Sequence, residues 1–496
     1  MPLSFLPRDS RWTALYVLCI GMLMIVLDNT VVNVALPSIA TDLHFSQSAL
    51  AWVVNAYLIA FAGLLLLSGR LGDLIGTKRV FIIGLALFTG FSLLCGFAWS
   101  GTVLIVGRYA QGVGGAMASA VILAMIFTTF TEPGERAKAM GIFSFTAAAG
   151  GSIGLLIGGA LTQLLNWHWV FFVNVPIGIV TIAIAQRVLP SGTGIGLRQG
   201  ADAIGAFLVT ASLMLGVYTV VDIPTQPAHL SRTLLLGAIA CALFVAFVVR
   251  QAMAAKPLVP LRIFASRNLC ASNIIDALVA MGLFGFFFLD ALYLRQVLHY
   301  DALRTGLAFL PTTLTIGVLS LGAAEGLERR FGSRRTLIGG TAVSAAGMLL
   351  LTIAPNGAYY ATILPAMLLI GAGLGAAFPP LMTFAMTGAS QADAGVISGV
   401  INTTSEVGGA IGLAILATVA AGATQSALAS GSSTTQAFGA GYQLAFAIAT
   451  ACLFGATLIA ITMLRDAPLL DDDLDDLARR GVEGRGEPGV AGAVER

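Results

Sequence analysis

Residues 12–37 read WTALYVLCIGMLMIVLDNTVVNVALP. Sixteen uncharged residues precede Asp28, so the acid falls inside one continuous apolar run. A carboxylate at the centre of a membrane helix costs roughly 2.5–3.5 kcal/mol. With a span over about 12–36, Asp28 lies some four residues past the middle, about 6 Å outward at 1.5 Å per residue. Its short side chain does not easily reach the headgroups from there. Asn29 and Asn33 are four apart and share a face beside that of Asp28. The reading is a polar wedge turned toward a water-filled cavity, where an acid can bind and release a proton.

Composition extends this to the whole chain. Of 496 residues, 57% are hydrophobic and 10% charged, against about 25% charged in soluble domains. Mean hydropathy is +0.91. Fourteen spans need about 280 residues, close to that apolar content. Apolar runs fall at about 12–36, 50–68, 80–99, 102–128, 137–165, 169–189, 202–221, 232–251, 269–292, 303–324, 336–354, 359–385, 395–421 and 437–464. Runs this long and uniform are helices, not alternating strands. MPLSFLPRDSRW carries no cleavage pattern, so the first span is expected to be retained.

Lys and Arg orient the spans. With a cytoplasmic N-terminus, 22 of the 26 basic residues fall inside. Arg232, Arg295 and Arg304 lie outside, and Arg108 lies within the fourth span. The bias places both termini in the cytoplasm.

The chain also repeats. GRLGDLIGTKRV from Gly69 and EGLERRFGSRRTL from Glu325 align Gly76 with Gly332, an offset of 256. Gly150-Gly151-Ser152-Ile153-Gly154 resembles Gly408-Gly409-Ala410-Ile411-Gly412, an offset of 258. Two homologous six-helix halves follow, 1–190 and 258–464, with two inserted helices in 191–257. Residues 465–496 read as a disordered acidic tail.

Several residues carry candidate chemistry. Arg108, in VLIVGRYAQGVGGAMASA, stays charged and either snorkels outward or pairs with an acid. Gln111 joins the cavity group. The GRLGDLIGTKRV segment reads as a short loop between spans two and three, turned by Gly69 and Gly76, with Asp73 able to cap a helix N-terminus. Lys78 and Arg79 face the inner leaflet. With Glu325 and Arg334 these residues read as a conformational latch. Gly150, Gly154 and Gly158, followed by Gly159, form a close-packing face. Glu406, Asp276 and Asp290 are further acids in or beside apolar runs, candidates for a cavity receiving cationic compounds. Asp290, near an outer span end, is equally open to simple solvation. The histidines and five cysteines lack metal-site spacing. No phosphate-binding GxxxxGK[ST] and no nucleophile elbow is present, which argues against an enzyme, against ATP-driven transport and against a cofactor.

Taken in order, these motifs resemble the fourteen-helix drug:proton antiporter group of the major facilitator superfamily. LDNTVVNVALP resembles its first-helix signature and GRLGDLIGTKR its loop signature. RYAQG at 108–112 resembles the fourth-helix signature, Gly150–Gly159 that of the fifth helix, and WHWVFFVNVPIG at 167–178 is also similar. Departures are Leu74 and Thr77 in place of basic residues and Leu155 in place of Pro. Ser405-Glu406 stands where Arg-Gln is common.

The resemblance implies an all-α polytopic fold and proton-driven export of lipophilic, cationic drugs or antibiotics from a bacterial inner membrane. It implies a monomer with lipid and small-molecule partners, no nucleic acid, and the proton as the sole coupling species. By analogy Asp28 is the proton carrier and Arg108 its partner, with Glu406 a second acid in coupling. A dedicated metabolite exporter or importer, or a non-transporting receptor or scaffold, is the alternative.

Overall fold

The computed structural model describes residues 8–45, 47–190, 194, 196, 202–222, 230–300, 302–353, 359–386 and 393–465. Arg465–Arg496 forms a unit apart from Met1–Leu464, and the expectation for 466–496 lies outside the described residues. Fourteen helices among the described residues are long and apolar enough to cross a membrane.

The first half comprises α1 (Arg8–Asp42), α2 (Gln47–Ile75), α3 (Thr77–Gly96), α4 (Gly101–Thr129) and α5 (Pro133–Leu164), then α6 (Trp169–Phe172) and α7 (Asn174–Val188), which together make the sixth span. The inserted pair is α8 (Ala203–Asp222) and α9 (Leu230–Met253). The second half holds α10 (Arg267–Gln296), α11 (Ala302–Val318), α12 (Ala324–Phe331), α13 (Ser333–Ile353), α14 (Leu364–Ala385), α15 (Ala394–Ala429) and α16 (Thr434–Met463). A π-helical turn at Leu319–Ala323 joins α11 to α12 as one span. Another at Tyr359–Ile363 leads into α14.

The halves repeat one packing scheme. Gly154 lies against Thr30 of α1, and Gly412 lies against Met281 of α10. A Cβ on Gly112 would meet the Tyr57 carbonyl at 2.5 Å, and one on Gly371 the Thr312 carbonyl at 2.6 Å. Small residues allow such close helix approach where lipid provides no hydrophobic drive. Gly76 (φ 98°) and Gly332 (φ 82°), aligned in the sequence repeat, share the left-handed backbone that only glycine adopts freely.

The inserted pair docks through α8 onto α2, where Met214 and Tyr218 meet Ile59 and Ala62. Trp52 stacks on Tyr218 with centroids 5.8 Å apart. Asp202 clamps the pair at its base. Its Oδ1 accepts from Gly205 N (3.0 Å) and Arg250 Nε (3.1 Å), and its Oδ2 from Gln251 Nε2 (2.9 Å). Burial pushes the Asp202 carboxyl up, but these donors outweigh it and hold it below the usual carboxylate range.

The two halves meet at the end of the bundle where α1 begins, here the N-terminal end. Gly69 packs on Gly395 and Gly399 at the start of α15. Asp73 accepts from Gly395 N (2.8 Å) and Val396 N (3.0 Å). Ser398 Oγ donates to Ala120 O at 2.6 Å. Gly141 lies against the Ser320 carbonyl, and Gly134 against Arg329 and Glu325.

Several latch expectations change here. The Gly69–Gly76 stretch is not a loop, because α2 runs to Ile75 and only Gly76 breaks the helix. Asp73 therefore caps α15 of the other half rather than its own neighbour. Lys78 does not face headgroups: its ammonium donates to Gln186 O (2.8 Å) and Leu189 O (2.7 Å) at the end of α7. Cations suit such free carbonyls. Arg334 likewise donates within its own half, to Ile461 O of α16. Arg79 is exposed. Glu325 accepts from Arg329 at 2.6 Å beside the start of α5.

The Gly150, Gly154 and Gly158 face packs on Val26, Thr30 and Val31 of α1, inside its own half. Gly159 has nothing within 4 Å of an added Cβ, so it is not part of that contact.

Candidate functional site

Asp28 is 1% exposed and sits among four polar side chains from three other helices. Arg108 of α4 donates Nη1–H to its Oδ2. Gln111, one turn further along α4, donates to Oδ1 at 2.8 Å. Asn174 of α7 donates to the same oxygen at 2.9 Å, and also to Ser92 Oγ of α3 at 3.1 Å. The Ser92 hydroxyl in turn donates to Phe171 O at 2.9 Å.

Arg108 has further partners. Its Nε donates to Val53 O at 3.0 Å and its Nη1 to Gln111 Oε1 at 2.8 Å. Its guanidinium lies 4.3 Å from the Tyr57 ring centroid. A buried ion pair is tolerated when further hydrogen bonds satisfy both ions, and removing one partner then costs about 3–5 kcal/mol. Asp28 and Arg108 meet that condition.

This corrects two readings and decides a third. Asp28 is not on an open wedge: it turns into its own half, while Asn33 is exposed and donates to Asn29 O at 2.8 Å. The faces at 28 and 29 diverge by about 100°, which separates the paired acid from the half-buried Asn29. Gln111 is not a cavity residue but a ligand of Asp28. Arg108 does not snorkel; it is fully buried.

The second half holds its acids differently. Asp276 of α10 is 2% exposed, interacts with Ser405 and feels Glu406. Its Oδ2 has no hydrogen-bond partner among the described residues. Glu406 on α15 is half-buried. The packing register that pairs Gly112 with Gly371 sets Met367 where Arg108 stands in the first half. No buried cation occupies the corresponding place. Asp290 is 0% exposed, with neither oxygen hydrogen-bonded. Burial removes it from both the cavity and the solvated readings.

Sequence reasoning missed Asn174, Ser92 and Tyr57. Asn174 stands inside WHWVFFVNVPIG, and its position on the first turn of a fresh helix was the available signal. Ser92 and Tyr57 carry no local signal, because their neighbours come from other helices.

A bundle of fourteen apolar helices with a buried acid paired to an arginine is the frame of a multi-pass membrane protein. The Major Facilitator Superfamily model matches residues 18–413, and the chain belongs to that family. It is 37% identical over 467 residues to the puromycin resistance protein pur8 of Streptomyces alboniger, covering 92% of each chain. It is 40% identical over 415 residues to the cephamycin export protein CmcT of Amycolatopsis lactamdurans, covering 82% of this chain and 84% of that one. The human organic anion transporter MFSD10 (TETRAN) has the same fold, with a TM-score of 0.65 at 14% identity over 92% of this chain and 100% of the other.

Proposed function

We propose that the protein is a proton-coupled antiporter exporting lipophilic, cationic antibiotics or related compounds from the cytoplasm of a bacterium. The relatives named for puromycin resistance and cephamycin export support the export of antibiotic-like molecules. The observation that carries the coupling is the Asp28 carboxylate, enclosed by Arg108, Gln111 and Asn174 with almost no exposure.

A proton arriving on Asp28 removes the charge that Arg108 compensates. Arg108 is then a buried cation without its counterion, and the cluster must rearrange or release the proton elsewhere. This is a local two-state element of the kind that drives alternating access. The excess of basic residues at the N-terminal end supports a cytoplasmic position for that end. In that orientation the contacts at Gly69, Asp73 and Ser398 hold the two halves together on the cytoplasmic side.

Glu406 supplies the charge that attracts a cation, being the half-buried acid on the inner face of α15. Neutral and anionic compounds lack that attraction.

The reading is tested in proteoliposomes with an imposed pH gradient, using ethidium and puromycin as probes. Uphill movement of either probe with opposite proton flux is expected. Movement of neither, with no proton flux, contradicts it; movement without proton flux leaves export but refutes coupling.

A further inference from the structure

Tyr57 was singled out by no motif, yet it stands between the two acidic centres. It is fully buried on α2. Its ring supports the Arg108 guanidinium at 4.3 Å. Its hydroxyl lies beside the Asn29 side chain, short of full hydrogen-bond geometry. Two glycines of the fourth-helix motif make room for it. A Cβ on Gly112 would meet the Tyr57 carbonyl at 2.5 Å, and one on Gly115 would meet the Tyr57 hydroxyl at 2.9 Å. The glycines after Arg108 thus build a slot for one tyrosine.

The helix that carries Tyr57 also touches the second half. Helices α2 and α15 run antiparallel and touch where Gly399 meets the Leu65 carbonyl and Leu66. Seven residues along α15 from Gly399 is Glu406, on the same face. Seven or eight residues back along α2 from Leu65 are Leu58 and Tyr57. Both steps cover about 10–12 Å, so Glu406 and Tyr57 lie at one depth across the interface. Tyr57 accordingly feels Asp28, Arg108 and Glu406 together. The other ionisable groups at this centre are Asp276, which faces Glu406, and Cys95, which feels Arg108 and Asp28. The face of α2 that meets α8 brings Met214 and Tyr218.

We infer that Tyr57 is a positioning residue that links the charge state of Glu406 in one half to the Asp28–Arg108 pair in the other. Its ring fixes the guanidinium, and its hydroxyl, beside Asn29 and at the depth of Glu406, is the polar end of the link. A phenol both donates and accepts, so it serves Glu406 in either protonation state. Loss of the Asp28 charge frees Arg108, and the shift reaches Glu406 through the ring and hydroxyl of one side chain. The inference deepens the proposed antiport, and its test does not depend on transport.

The test follows carboxyl protonation by infrared difference spectroscopy on the full chain during pH titration, with no ligand. Glu406→Gln identifies the Glu406 band. Asp28→Asn leaves Arg108 uncompensated and is expected to displace the Glu406 titration by about one pH unit, the size of a coupled pair. Tyr57→Phe keeps the ring over Arg108 and removes only the hydroxyl. In that background Asp28→Asn is expected to displace the Glu406 band by less than half as much. An equal displacement with Tyr or Phe at position 57 overturns the inference, as does no displacement in the Tyr57 protein. Tyr57→Leu, which removes the ring as well, is expected to abolish the displacement; preserving it there also contradicts the link. Ethidium transport by the unmodified protein is scored separately, so failure of antiport and failure of the link are distinguishable.

Discussion

The two halves share a packing scheme and differ in charge. In the first, one acid meets Arg108 and two amide donors, and both carboxylate oxygens accept hydrogen bonds. In the second, Asp276 and Glu406 neighbour each other, with Met367 in the position of the arginine. Glycines hold both arrangements: Gly112 against Tyr57 and Gly371 against Thr312. The helix contacts therefore match where the polar content differs. A closed ion pair suits a site that switches. Acids without a cation suit a site that receives one from outside.

The largest expected effect comes from making the first half resemble the second. Arg108→Met leaves Asp28 buried without its counterion and is expected to cost about 3–5 kcal/mol. Thermal unfolding in detergent should show a large loss, and Arg108→Met/Asp28→Asn should recover most of it. No recovery in the double variant would mean that the pair is not the reason for the loss.

The next effect lies where the halves touch. Asp73→Asn weakens the interaction of a carboxylate with two N–H groups at the start of α15. A charge at a helix terminus contributes about 0.3–2 kcal/mol. Spin-label distances between α2 and α15 at the N-terminal end should show more of the population opened, by up to about thirtyfold. An unchanged distribution would remove Asp73 from the closure.

A comparable effect is expected within the second half. Glu406→Gln removes a charge and keeps the shape. Ethidium binding should weaken by at least about tenfold, since a charged contact is worth about 1.5–3 kcal/mol. A neutral probe should be little affected. Equal loss for both would show that Glu406 shapes the cavity rather than selecting charge.

The smallest effect concerns the inserted pair. Asp202→Asn should destabilise by about 1 kcal/mol, the usual size of an N-cap. The folded Asp202 value is held below its unfolded one. Its contribution is therefore complete above the ordinary aspartate value near 3.9 and is lost as pH falls through the folded value. The difference in melting temperature between the wild type and Asp202→Asn should be constant at neutral pH and shrink in acid below about pH 4.

The helices were legible because hydrophobic runs and basic bias act locally. The repeat was legible because Gly76 and Gly332 serve the same turn. Asp28 and Arg108 stood out through the cost of burying charge, and the search for a partner followed from that. What escaped was direction. A helix face near position 28 includes both the paired acid and Asn29, and only the packing of α4 and α7 decides which turns inward. Lys78 and Arg334 illustrate the same limit, since a cation beside a span end satisfies headgroups and free carbonyls equally well on paper. Asn174 was inside a quoted motif but gained a role only when α7 came beside α1. Tyr57 is a further case, as its neighbours arrive from α1, α4 and α15.

The central claim is that Asp28 carries the coupling proton, and one measurement tests it most directly. Asp28→Asn protein is reconstituted with an imposed pH gradient, and ethidium movement is recorded alongside proton flux. Asparagine keeps the side-chain size and removes the titrating group. The account predicts that gradient-driven accumulation is abolished while the protein stays folded and downhill exchange of ethidium survives. Uphill transport at the wild-type rate and proton ratio would contradict it.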